Sequence, residues 1–182
     1  MKLGIINGWE EGNFKYVHDK GLDAIEFCVN HNYDSKEFLS KAEEIKGYSE
    51  KYNVAVGSMG RWGMKRIDDN GEIIPDALQD DKNIIDAASI IGCPVFNCGV
   101  NYTESKSFYE NCEIAINYLK ELISYAENIV LCGDIHITIL VGFYDRHQFP
   151  IIMKREIIRS PCVLVDYLTE AQKKAYIIAD NR

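Results

Sequence analysis

The chain has 182 residues, 47% of them hydrophobic and 26% charged, which suits a globular domain with a sizeable core. Its 28 Asp and Glu outnumber 20 Lys and Arg, and the formal net charge of −8 argues against a nucleic-acid backbone or an anionic membrane as the main partner. No apolar run approaches the roughly 20 residues of a membrane span, and Met1-Lys2-Leu3-Gly4 reads as the start of a strand, not as a signal peptide.

Residues 3–7 form a short apolar run that predicts a buried strand, left through Asn7-Gly8-Trp9-Glu10. Residues 13–20 predict a short helix closed by Gly21. Residues 24–29, Ala-Ile-Glu-Phe-Cys-Val, predict a second strand with one carboxylate, Glu26, in an otherwise apolar run, and Asn30-His31-Asn32-Tyr33 is its polar exit. Ser35 reads as a helix N-cap, with Phe38, Leu39, Ala42, Ile45 and Tyr48 following at helical spacing.

Residues 53–59 predict the third strand, and a long loop over 60–79 holds Arg61-Trp62-Gly63 and the turn Asp68-Asp69-Asn70-Gly71. Loops of that length in compact domains usually carry function. An amphipathic helix over 80–91 ends at Gly92, Pro94 opens a fourth strand, and residues 97–101 form its exit loop. Residues 105–127 give the strongest helical pattern, with Phe108, Cys112, Ala115, Ile116, Leu119, Ile123 and Ala126 on one apolar stripe.

Four strand–helix units within residues 1–130 predict an α/β fold with a parallel sheet. In such folds chemistry sits at the C-terminal ends of the strands. Beyond residue 130 the pattern changes. Residues 129–132 could form a fifth strand, but Gly133-Asp134 and a second strand-like run over 136–141 follow. Lys and Arg number 13 against 22 Asp and Glu over 1–130, and 7 against 6 over 131–182. The chain therefore reads as a single domain, 1–182, with four regular βα units over 1–130 and an atypical segment over 131–182.

Six cysteines (Cys28, Cys93, Cys98, Cys112, Cys132 and Cys162) include no C-x-x-C pair, and most sit in apolar runs. With no secretory signal, this pattern predicts reduced thiols in a cytoplasmic protein.

Three stretches in order resemble the xylose isomerase-like TIM barrels, the sugar-phosphate isomerase/epimerase superfamily. They are Lys2-Leu3-Gly4-Ile5, then Gly21-Leu22-Asp23-Ala24-Ile25-Glu26-Phe27, then Asp86-Ala87-Ala88-Ser89-Ile90-Ile91-Gly92-Cys93-Pro94-Val95, with the exit Cys98-Gly99-Val100-Asn101. The resemblance covers about residues 1–130, the first half of such a barrel. It implies a parallel barrel with a polar mouth, often holding a divalent cation (Mn²⁺, Zn²⁺ or Mg²⁺) that polarises a sugar hydroxyl or carbonyl. In metal-dependent members the ligands are a Glu ending the fifth strand, then an Asp, a His and a last Glu from later strands. Here Cys132-Gly133-Asp134 or Leu140-Val141-Gly142 stands where that first Glu would be, so the family's metal site does not carry over.

Each candidate residue has a functional and a structural reading. Glu26 is the catalytic candidate, a proton-handling carboxylate at the mouth; the alternative is a structural carboxylate paired with Arg61. Arg61 offers a bidentate fork for phosphate or carboxylate and Trp62 a flat wall for a sugar face, against a loop salt bridge and a packed indole. Trp9 reads as Trp62 does. Asn7, Asn97 and Asn101 at strand ends could bind sugar hydroxyls or simply form turns. His31 is an acid–base or ligand candidate or an idle surface histidine. Asp134 with His136, and Asp145 with His147, are repeated Asp-x-His triplets that could chelate a metal if extended. Cys98 is a nucleophile or a buried thiol. Gly57-Ser58-Met59-Gly60-Arg61-Trp62-Gly63 is not the dinucleotide fingerprint, and there is no P-loop.

The expected architecture is a TIM-barrel-like set of parallel βα units, an incomplete, truncated barrel with an irregular C-terminal part. Four or five units cannot close, because closure couples strand number to tilt and stagger. Exposed edges then predict homo-oligomerisation. The expected activity is a sugar or sugar-phosphate isomerase or epimerase acting by proton transfer beside a carbonyl, with or without a divalent metal. The alternative is a degenerate, non-catalytic barrel fragment that binds a carbohydrate-like ligand or a partner.

Overall fold

The computed structural model describes residues 3–130 and 138–143, with the backbone alone for 129–130 and 138–143. Its elements alternate as the apolar runs require: β1 (Gly4–Ile6), α1 (Glu11–Asp19), β2 (Ala24–Cys28), α2 (Ser35–Ser40), α3 (Ala42–Tyr52), β3 (Ala55–Arg61), α4 (Pro75–Ile91), β4 (Val95–Val100), α5 (Phe108–Val130) and β5 (Thr138–Phe143). The strands form one parallel sheet in the order β1-β2-β3-β4-β5. Sequential order with a helix between strands is the winding of a TIM barrel, and five strands make an open arc of one.

Alternation along each strand sorts the two faces. Ile25 and Phe27 of β2, Met59 of β3 and Phe96 and Cys98 of β4 are fully buried, in one core with residues of all five helices such as Phe14, Phe38, Ile45, Ile84 and Leu119. The opposite, concave face carries Glu26, Cys28, Ser58, Asn97 and Gly99, small or polar groups left half-buried, and the exposed Ile6 of β1. The strand period of two thus places apolar bulk outward and the reactive side chains inward.

Several element boundaries differ from the sequence expectation. The N-cap of α2 is Asp34, whose carboxylate accepts from the Lys36 and Glu37 amides at 2.8 and 2.9 Å. Ser35, expected to cap, is instead buried, donating to Asp80 at 2.5 Å. The expected single helix after it is two, parted at Lys41, where the Ser40 hydroxyl takes the Glu37 carbonyl.

Helix α4 starts at Pro75, five residues before the expected 80, because proline at the first helical position needs no amide partner. It stops at Gly92, whose φ of 81° opens the left-handed turn. Ser107 and Glu110 cap α5 reciprocally, so that helix begins at Phe108, not at 105, and Phe108 is 44% exposed rather than part of the apolar stripe. Because α5 continues through Val130, residues 129 and 130 belong to a helix, and the fifth strand is β5. β5 adds a fifth parallel strand beside β4.

Candidate functional site

The concave face is organised by an irregularity between β2 and β3. Ile25 pairs with Val56, yet Glu26 pairs with Ser58, so Gly57 is an extra residue in β3. A bulge of this kind re-aims the side chains around it, and glycine tolerates it best. Here it brings the Ser58 hydroxyl opposite the Glu26 carboxylate. The Glu26 side chain is half-buried and makes no hydrogen bond or ion pair among the described residues. The expected structural partner, Arg61, is engaged elsewhere.

One step toward the C-terminal end of the sheet, Cys28, Gly60 and Asn97 pair in a row across β2, β3 and β4. Asn97 likewise has no side-chain partner among the described residues. Trp62 folds back over this row: a Cβ on Gly60 would lie 2.7 Å from Trp62 Nε1 and 3.0 Å from Cys28 Sγ. Only the missing side chain at Gly60 leaves room for the indole. Burial, then the nearby Glu26 charge, raise the Cys28 thiol pKa against the Trp62 hydrogen bond, so this thiol is a poor nucleophile at neutral pH. His31 stands beside Trp62, its amide donating to the Trp62 carbonyl at 3.1 Å and its ring over Gly63, where φ is +80°.

The other expected contacts are built into the scaffold. Arg61 is 1% exposed. It donates to the Val29 carbonyl at 2.9 Å and to Asp80 at 3.1 Å, so its fork does not face the concave side. Asn101 accepts from the Arg66 and Ile67 amides at 2.7 and 2.9 Å and donates to the Ile67 carbonyl at 2.9 Å, which makes it a clamp on the β3–α4 loop. Trp9 is half-buried and packs edge-on against Phe27, Tyr33 and Phe38. Asn7 accepts from the Gly8 amide at 3.0 Å, a local turn. Cys98 is fully enclosed, and burial, then the Asp81 charge, push its thiol up to about 12. It is the buried thiol, not a nucleophile.

Under the loop lies a buried ionic cluster that the sequence reading did not anticipate. Arg66, 1% exposed, grips Asp81 with both arms at 2.7 and 3.0 Å, and Tyr118 donates to the same carboxylate at 2.7 Å. Burial opposes the Arg66 cation, but the Asp81 carboxylate outweighs it and holds the pKa above the usual guanidinium value. Burial, then Asp81, push the Tyr118 hydroxyl far above its ordinary range.

Among the described residues no three His, Cys, Asp or Glu side chains converge on a place for a metal ion. Asp134, His136, Asp145 and His147 lie outside the described residues. Among those residues no helix is long and apolar enough to cross a membrane.

A parallel βα arc with a polar concave face defines a partial barrel of the TIM type. Its fold is that of the xylose isomerase-like TIM barrels. The 3-keto-D-glucoside 4-epimerase YcjR of E. coli shares it at 17% identity and a TM-score of 0.56, over 76% of this chain and 55% of that one. A D-psicose 3-epimerase from Clostridium cellulolyticum H10, solved with D-tagatose, matches at 14% identity and a TM-score of 0.55, over 71% and 50%. An AP endonuclease of family 2 from Brucella melitensis matches at 17% identity and a TM-score of 0.54, over 78% and 55%. The chain spans about half the length of these structures. No protein-family pattern and no curated protein matches the sequence. A fold shared by epimerases and a nuclease fixes the scaffold, and function must be argued from the site.

Proposed function

We propose that the concave face binds a small sugar or sugar phosphate and that Glu26 moves a proton beside its carbonyl, an isomerase or epimerase reaction. The observation that carries this reading is the half-buried Glu26 carboxylate, without a hydrogen-bond or ion-pair partner among the described residues, opposite Ser58 on the face that Trp62 covers. A carboxylate held without a counter-charge is a group kept for a ligand. Glu26 would take the proton from the carbon next to the carbonyl, leaving an enediolate. Returning that proton to the neighbouring carbon, while the hydroxyl proton passes from one enediolate oxygen to the other, isomerises the sugar; returning a proton to the opposite face of the same carbon epimerises it. The Asn97 carboxamide, two strand spacings or about 10 Å across the sheet from β2, would donate to the oxygen on which charge develops. The Trp62 indole would cover an apolar sugar face, with His31 at the rim. No step is routed through a metal. A cytoplasmic setting and a homo-oligomeric state belong to the same reading.

D-Tagatose is a suitable first probe, with other ketohexoses alongside. In D₂O the chain is expected to exchange the hydrogen beside the carbonyl for deuterium, followed by proton NMR. Glu26→Gln should abolish exchange, at least a hundredfold for loss of a proton-transfer group, while calorimetry still detects the sugar. A second reading, the non-catalytic carbohydrate-binding fragment, is favoured by the use of Arg61 and Asn101 as scaffold rather than ligand contacts. Binding without exchange by the unaltered chain would select it. No binding of any ketohexose would reject both.

A further inference from the structure

We propose that Arg66 is a positioning residue whose ion pair with Asp81 fixes the Trp62 indole over the concave face before any ligand arrives. Naming the indole a sugar wall rests on the function proposed above; the mechanical claim does not. Arg66 lies beneath the loop that carries Trp62, and its guanidinium reaches β3, β4 and α4.

Nη2 donates to the Arg61 carbonyl at 3.0 Å, the peptide that leads directly into Trp62. Nη1 donates to the Gly99 carbonyl at the end of β4 at 2.8 Å. Nε and Nη2 grip Asp81 of α4, and Tyr118 ties that carboxylate to α5. The Arg66 amide itself is held by Asn101. The loop thus leaves β3, is pinned five residues later at the exit of β4, and cannot lift without breaking a buried ion pair. On its near side the Trp62 amide takes the Asn30 carboxamide at 3.2 Å, and the indole settles over Gly60 toward Cys28.

Arginine suits the task and lysine does not. Its planar fork makes four directed contacts to three elements, and a lysine ammonium would keep the charge while losing that geometry. Arg66→Lys therefore separates positioning from simple charge neutralisation.

The chain has two tryptophans, so in a Trp9→Phe background Trp62 is the reporter. Arg66→Lys in that background should raise acrylamide quenching of Trp62 by about twofold and weaken D-tagatose binding by roughly tenfold, because small misplacements of an aligned group are costly. Far-UV circular dichroism at the working temperature should not change. Tyr125→Phe, which breaks the α5–α4 bond to Asp86 at 2.9 Å away from the loop, should leave Trp62 quenching as it was. If Arg66→Lys fails to fold, Tyr118→Phe carries the same test, with a smaller rise in quenching expected from a loosened Asp81. Unchanged Trp62 quenching in the folded variant, whatever happens to the melting temperature, overturns the proposal. If no ketohexose binds the parent protein, the sugar reading falls while the quenching result still decides the positioning role.

Discussion

At the scale of single residues, what a side chain can do here depends on what its neighbours have already claimed. Glu26 and Asn97 are unclaimed among the described residues, while Arg61 and Asn101 are held by the backbone and by Asp80. Gly60 decides the state of a third group, since any Cβ there would meet the Trp62 indole nitrogen at 2.7 Å. Gly60→Ala should therefore fold but displace the indole from Cys28. The Trp62 indole N–H resonance is expected to move and D-tagatose binding to weaken; an unmoved resonance would refute the account. Glu26 stands out in the sequence because one carboxylate in an apolar strand breaks the pattern and must be explained. Trp9 and Trp62 looked equivalent, both aromatic exits from strands, and only packing separates them: Trp9 sits among Phe27 and Phe38, Trp62 over a glycine.

At the scale of elements, the apolar periodicities placed every strand through β4 and a helical stretch after each, but not the ends of those elements nor the break that parts α2 from α3. Pro75 at the first position of α4 was the available signal for that helix's start. Asp81 also left a trace: it lies with Ala77, Ile84, Ile85 and Ala88 on the buried stripe of α4, where a charge needs a partner. That partner, Arg66, sits in a loop with no periodicity, so nothing in the sequence could pair them. The Gly57 bulge was equally invisible, since register is a property of two strands together.

Capping gives this scale its prediction. Backbone hydrogen bonds from the Glu37 and then the Lys36 amide hold the Asp34 carboxyl below the usual aspartate range. The Glu72 amide acts first in doing the same to Asp68 in the β3–α4 loop. A folded pKa below the unfolded one gives stability that is present above the ordinary aspartate value, about 3.9, and is lost as pH falls through the folded value. Asp34→Ala should lower the melting temperature by a few degrees at pH 7, and the difference should narrow toward pH 2 as the unaltered carboxyl gains its proton. An equal difference at both pH values would contradict the capping account.

At the scale of the molecule, the described sheet is an arc whose two end strands have one neighbour each. β1 pairs with β2 alone among the described strands, and its Leu3 and Ile6 flank are 55% and 73% exposed. A parallel edge with unpaired peptide groups and apolar side chains is a template for another strand. The concave face adds to this, because parallel sheets are ordinarily covered on both sides. Sedimentation velocity over a rising concentration series should therefore show self-association. Ile6→Lys places a charge on the exposed edge, where burial against another chain would be costly. It is expected to shift the distribution toward the monomer while leaving the core, which Ile6 does not enter, intact by circular dichroism. A single monomeric species at all concentrations would mean that the edge is already covered within the chain. Association that persists in Ile6→Lys would place the contact elsewhere on the molecule.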